Sequence, residues 1–225
     1  MAQGISEILT FAIGVAISPV PIIAVILMLF SSRARVNGPM FLLGWVVALA
    51  VVSGVAYLIS GAGSPSTSTA AAQGVSWAQI VFGVLFLLLA GRSWRNRPEP
   101  GTEPQMPRWM AGIDGFAPGK ALGFGLLLAG VNPKNLLLAA GAGSALALIG
   151  PSTTEAVLSL VVFVIIGSLT IAGPVLYYLV GGERAKTQLD LVKGWLAVHN
   201  DAVMMVLFLV LGVNLIAKGI PPLTR

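Results

Sequence analysis

Residues 121–149 read ALGFGLLLAGVNPKNLLLAAGAGSALALI, with one ionisable side chain, Lys134. A bilayer's hydrocarbon core is roughly 30 Å thick and takes about 20 apolar residues of helix to cross, so this stretch is predicted to span a membrane. Its apolar residues run continuously, without the alternation of a barrel strand, and a helix is then the structure that satisfies its backbone in lipid. Near the centre stands Asn132-Pro133-Lys134-Asn135. At 1.5 Å per residue, Pro133 falls about 18 Å along the helix from Ala121. A proline removes a backbone donor and clashes with the preceding turn, and lipid offers the freed carbonyls no partner. The span is therefore predicted to break or kink against protein or a wet cavity.

Outward from it, five further apolar stretches are predicted as spans: Ile5–Phe30, Met40–Ser60, Val75–Ala90, Thr154–Val180 and Asp201–Ala217. Together the six use most of the 225 residues. Hydrophobic residues are 56% and charged residues 9%, against about 25% charged in a soluble domain. A surface so poor in charge needs lipid as its solvent. No Lys or Arg precedes Ile5, Glu7 stands where a signal peptide carries positive charge, and the apolar run continues to Phe30. The first stretch is thus read as a retained helix. The absence of cysteine excludes disulfides and thiolate metal sites.

The formal charge of +5 points to orientation, not to nucleic acid, because the basic residues sit at span ends. Arg33 and Arg35 follow the first span. Arg92, Arg95, Arg97, Arg108 and Lys120 follow the third, and Arg184, Lys186 and Lys193 follow the fifth. The other two loops hold no Lys or Arg, and Lys218 and Arg225 close the chain. The positive-inside rule then puts both termini outside. The proline-rich segment 93–119 becomes a cytoplasmic connector, with Trp109, Met110, Ile113 and Phe116 placed to lie in the headgroup layer.

The two halves resemble each other. Ile17-Ser18-Pro19-Val20-Pro21 matches Val131-Asn132-Pro133-Lys134-Asn135. Val55-Ala56-Tyr57-Leu58 matches Val175-Leu176-Tyr177-Tyr178, and Gly83-Val84 matches Gly212-Val213. Each half has three spans, so the second enters from the opposite side, and the chain is read as an inverted repeat. The whole of 1–225 forms one membrane domain: repeat 1 over 1–92, the loop over 93–119, repeat 2 over 120–225. The first and fourth spans should approach each other where Pro19, Pro21 and Pro133 break them.

Lys134 is the main candidate for function, because an ammonium at the centre of a membrane helix costs about 2.5–3.5 kcal/mol on insertion scales. Either it pins the first span by bonding its carbonyls, or it serves a substrate or a proton. Asn132, Asn135 and Ser18 join it as candidate substrate-binding groups. Tyr57, Tyr177 and Tyr178 read as interfacial belt residues, Glu155 and Asp201 as caps at helix starts, Asn214 as an interhelical hydrogen-bonding group, and His199 as too isolated to hold a metal. No paired-carboxylate, phosphate-loop or Ser/His/Asp signature appears. The sequence therefore predicts no enzyme, no catalytic or metal site and no cofactor.

On these residues the chain resembles the LysE exporter superfamily. Ser18-Pro19-Val20-Pro21-Ile22-Ile23-Ala24-Val25-Ile26-Leu27-Met28, Phe41-Leu42-Leu43-Gly44-Trp45 and Asn132-Pro133-Lys134-Asn135 are similar to its actinobacterial GAP family, the peptidoglycolipid- or sulfolipid-addressing proteins. The resemblance implies a multi-pass plasma-membrane protein that helps move envelope glycolipids to the cell surface. Its partners would be membrane lipids, an anionic glycolipid headgroup among them, and other lipid-export proteins, with homo-oligomerisation left open. Two rivals stand beside this reading: a LysE-like efflux carrier for an amino acid or other small solute, and a non-transporting scaffold of a lipid-export complex.

Overall fold

The computed structural model describes residues 2–61, 69–96, 112–113 and 115–220. Among them there are eight α-helices and no strand: α1 (Ala2–Ala16), α2 (Pro19–Phe30), α3 (Ala34–Ile59), α4 (Thr69–Arg95), α5 (Pro118–Gly130), α6 (Pro133–Leu148), α7 (Thr153–Gly181) and α8 (Glu183–Gly219). α3, α7 and α8 are each long and apolar enough to cross a membrane, and the pairs α1–α2 and α5–α6 pass the same test when each is taken as one bent span. The outward faces are apolar, as at Leu58, Val131, Ile165 and Val180, which is the reverse of a soluble protein and suits a lipid surround.

The predicted interruptions are present. α1 and α2 meet at 54°, and α5 and α6 at 65°. Pro19 and Pro133 each sit in the first turn of the second helix of their pair, the one helical place where a missing N–H costs nothing. Pro39 and Pro174 lie within continuous helices. A proline alone therefore does not set the break. At both breaks a polar N-cap residue, Ser18 or Asn132, precedes it.

Three sequence expectations are corrected. Residues 183–200, expected as a loop before a span starting at Asp201, are the first half of the 37-residue α8. At 1.5 Å per residue this helix is about 55 Å long. The signal was there: Ala185, Leu189 and Leu196 recur on one buried face, and Glu183–Lys186 and Asp190–Lys193 form i,i+3 ion pairs. Asp201 is consequently no cap. Tyr57 and Tyr178 are buried within the bundle, while Tyr177 is exposed. Ile113 is fully buried in the core and Phe116 packs against it, its carbonyl accepting from Asn37 Nδ2 at 2.9 Å. Trp109 and Met110 lie outside the described residues. The cap expected at Glu155 is found, forming a capping box with Ser152.

α3 lies against α5, α6 and α7, α1 packs on α6 and α7, and α4 runs along α8. Small residues set how closely these helices approach. A Cβ on Gly44 would run into the Leu122 carbonyl oxygen, and one on Gly125 into that of Phe41. α3 and α5 thus touch backbone to backbone, the packing mode of membrane helices. Gly83 and Gly212 face each other in the same way between α4 and α8, each 2.8 Å from the other's carbonyl oxygen at the Cβ position. Around these contacts Trp45 is fully buried, stacks on Phe41 and donates through Nε1 to the Gly167 carbonyl at 3.3 Å.

Gly125→Val is expected to destabilise the bundle by about 1–3 kcal/mol, the cost of overpacking a site that cannot relax. Gly123→Ala, where a Cβ meets nothing within 4 Å, should be neutral or slightly stabilising. Thermal unfolding of each protein in detergent checks the contrast.

Candidate functional site

The break between α1 and α2 creates the site. Pro19 and Pro21 lack the N–H groups that would bond the carbonyls of Val15 and Ile17, four residues back. Ser18 N turns to Ala16 O at 3.0 Å, which frees the Gly14 carbonyl as well. The carbonyls of Gly14, Val15 and Ile17 at the end of α1 therefore lose their helical backbone donors, while Ala16 O keeps only the Ser18 N–H.

Each receives one. Val15 O accepts from Ser18 Oγ at 2.6 Å. Ala16 O accepts from Thr170 Oγ1 of α7 at 2.6 Å, besides Ser18 N. Gly14 O and Ile17 O accept from Lys134 Nζ at 3.0 and 2.7 Å. The third ammonium proton goes to Ser18 Oγ at 2.7 Å. All three donors of a lysine are thus used on the first break, and the cation sits at the negative end of the α1 dipole. The side chain is 8% exposed.

The second break holds Lys134 in place. Asn132 caps α6, its Oδ1 accepting from Lys134 N at 3.1 Å. Asn135, fully buried, donates through Nδ2 to the Leu128 carbonyl at 3.0 Å, and its Oδ1 stands 3.2 Å from Ser18 Oγ. The four residues singled out in the sequence, Ser18, Asn132, Lys134 and Asn135, therefore form one connected network. Of the two readings of Lys134, the pin describes its bonds in this conformation.

A cavity of about 330 Å³ opens beside the network. Ser18, Pro19, Pro21, Asn132, Pro133 and Lys134 line one side of it, Leu89 and Ser93 of α4 a second, and Asn200, Asp201, Met204 and Phe208 of α8 a third. Asn200 Nδ2 donates to Asp201 Oδ1 at 3.2 Å, while Asn200 Oδ1 is buried without a protein partner. Asp201 makes no ion pair with Lys134 among the described residues. Sequence reading missed Asn200 and Asp201 because it placed a helix start there. Among the described residues no group of three metal-ligating side chains comes together.

On its other side α8 leaves an open, almost wholly apolar groove of about 600 Å³ against α1. Ile13, Gly14, Ile17, Ala202, Val206 and Val210 line its walls; Thr10, Asn214, Trp195 and His199 are its few polar groups. Gly14 and Ile17 also supply the carbonyls that hold Lys134, so this groove and the polar network share a wall.

Comparison with known proteins finds one family model, described as Sap, sulfolipid-1-addressing protein, matching residues 8–221. No curated protein and no solved structure matches the chain.

Lys134→Met removes the donor of the buried Gly14 carbonyl and of the part-buried Ile17 carbonyl; a buried carbonyl left unsatisfied costs about 1–3 kcal/mol, a part-buried one less. It is expected to lower stability by about 1–4 kcal/mol on the same reckoning. Thr170→Val leaves Ala16 O with its second donor, and the expected loss is about 1 kcal/mol. Melting curves in detergent for the two variants should differ accordingly.

Proposed function

The chain belongs to the sulfolipid-1-addressing protein family, and from that premise we propose that it is a plasma-membrane carrier that helps move an anionic envelope glycolipid to the cell surface. One observation carries this reading: an open apolar groove between α1 and α8 shares a wall with a buried polar network that holds a cation. A glycolipid needs such a pair, the groove for an acyl chain and the polar interior for its headgroup. A carrier for a small solute would enclose most of its ligand's surface, and the two cavities that flank the Lys134 network are open clefts.

In this proposal α4 is the sixth span. The order of elements is a bent pair and two long helices, twice over. This order supports two inverted halves, the arrangement the likeness to the LysE exporters implies. A twofold axis in the membrane plane would exchange α3 with α7 and α4 with α8. It is consistent with α3 lying on α5–α6 as α7 lies on α1–α2, and with Gly83 meeting Gly212. Both termini would be outside.

Lys134, with Asn132, Asn135 and Ser18, would receive the headgroup. Its ammonium would exchange the Gly14 and Ile17 carbonyls for headgroup oxygens, a charge-assisted and stronger bond. The end of α1 would then be freed to move. Carrier motions of this kind rest on an element with two arrangements biased by the ligand.

Two measurements test the proposal. A reporter fused at Gly101 should read as cytoplasmic and one at Arg225 as external; a cytoplasmic signal from the C-terminus overturns the inverted arrangement. Ala202→Trp fills the groove from an exposed position and is expected to leave the melting curve unchanged. In a strain lacking the gene it should restore surface glycolipid no better than empty vector, while Ala202→Ser restores it fully. Full export with Ala202→Trp would favour a scaffold over a carrier.

A further inference from the structure

At the end of the bundle where α2 and α7 finish and α3 and α8 begin, a second polar cavity of about 500 Å³ lies apart from the Lys134 network. Ser32 and Arg33 line it from the α2–α3 turn, Arg35 from the first turn of α3, Tyr178 from α7, and Glu183 and Lys186 from α8. Three cations face one carboxylate, and that carboxylate is occupied: Glu183 accepts from Lys186 Nζ at 2.8 Å and from the Tyr178 hydroxyl at 3.1 Å. Arg33 and Arg35 are exposed and make no ion pair among the described residues. α3 also starts here, at Ala34, without a side-chain cap, so its dipole adds to the positive field.

Along the α7–α8 seam runs an apolar groove of about 850 Å³, whose lining adjoins that of the cavity in sequence. Tyr177, next to Tyr178, and Leu189, one turn on from Lys186, belong to it, with Gly173, Leu191 and Trp195 further along. Leu191 and Trp195 are more than half exposed.

We propose that this seam binds an anionic membrane lipid, its phosphate or sulfate headgroup between Arg33, Arg35 and Lys186 and an acyl chain in the groove below. Basic pockets between membrane helices at the cytoplasmic side recognise anionic headgroups in this way. A planar guanidinium suits a tetrahedral oxyanion, to which it bonds in bidentate fashion. The groove selects the lipid over a free anion, which would have no use for it. The proposal rests on reading α7 and α8 as membrane spans that handle anionic lipid. Its test reads binding without export, so the two can fail separately.

The full-length chain, stripped of lipid in a neutral detergent, is titrated with phosphatidylglycerol or with phosphatidylcholine of the same acyl chains, and bound lipid is counted by native mass spectrometry. Phosphatidylglycerol should bind more tightly. Arg35→Gln, at an exposed position, should weaken it about fivefold, the effect of one basic side chain near an anionic surface. Arg33→Gln should do the same. Gly173→Trp fills the groove at a position where a Cβ meets nothing within 4 Å, and it should reduce lipid binding while leaving the melting curve in place. Equal affinity for the two lipids, or no effect of either arginine variant, overturns the site. Displacement of the lipid by millimolar inorganic phosphate, together with unchanged lipid binding in Gly173→Trp, assigns the cavity to a free anion and overturns the lipid.

Discussion

A helix that stops inside a membrane leaves carbonyls that lipid cannot satisfy, and each costs free energy until a donor reaches it. Gly14, Val15 and Ile17 are three such carbonyls, and Ala16 between them has only the Ser18 N–H of the break. Much of the bundle is organised to reach them. Lys134 comes from α6, Thr170 from α7, and Ser18 from the break itself. The cost of burying an ammonium and the cost of leaving carbonyls bare are each offset by the other. That reciprocity accounts for a lysine in the middle of an apolar segment with no carboxylate bonded to it among the described residues.

Such a pairing needs accurate helix placement, since hydrogen bonds weaken steeply with small errors of distance and angle. The glycine contacts supply it. With Gly44 of α3 against the Leu122 carbonyl, Gly125 of α5 against that of Phe41, and Gly143 of α6 against the Ser53 carbonyl of α3, the second bent pair is held on α3. Asn132 and Asn135 then fix the start of α6 and with it the Lys134 backbone. α8 packs chiefly on α4 and touches α1 and α7 far less. That uneven packing leaves apolar grooves on both sides of Trp195 and the polar cavity at Asn200 and Asp201. Close approach at one seam and loose approach at another are two results of where small and large side chains fall.

The same bonds that stabilise the break make it a candidate for change. A lysine held by neutral carbonyls can trade them for an anion at little net cost, whereas a lysine held by a carboxylate cannot do so as easily. A lipid-handling role and a structural pin are therefore compatible roles for Lys134. The network adjoins both the apolar α1–α8 groove and the more polar cavity lined by Asp201.

The amino-acid sequence determined the all-helical, lipid-facing character, because continuous apolar runs with few charges admit no other backbone in a bilayer. It pointed to both breaks, at Ser18-Pro19 and Asn132-Pro133, where a polar residue precedes the proline; proline alone does not set a break, as Pro39 and Pro174 within continuous helices show. It also singled out Lys134 from its isolation. Beyond that it was silent or misleading. Asp201 looked like a helix start, and only the continuous α8 turned it towards the cavity. Tyr57 and Tyr178 looked interfacial and are buried. Nothing in the order of residues tied Thr170 to Ala16, 154 positions away, or Lys134 to Gly14, 120 positions away. A span that is apolar on every side carries no mark of which face will meet which neighbour. Its rotation and depth are chosen by side-chain packing between helices, and the partners of every buried polar group follow from that choice.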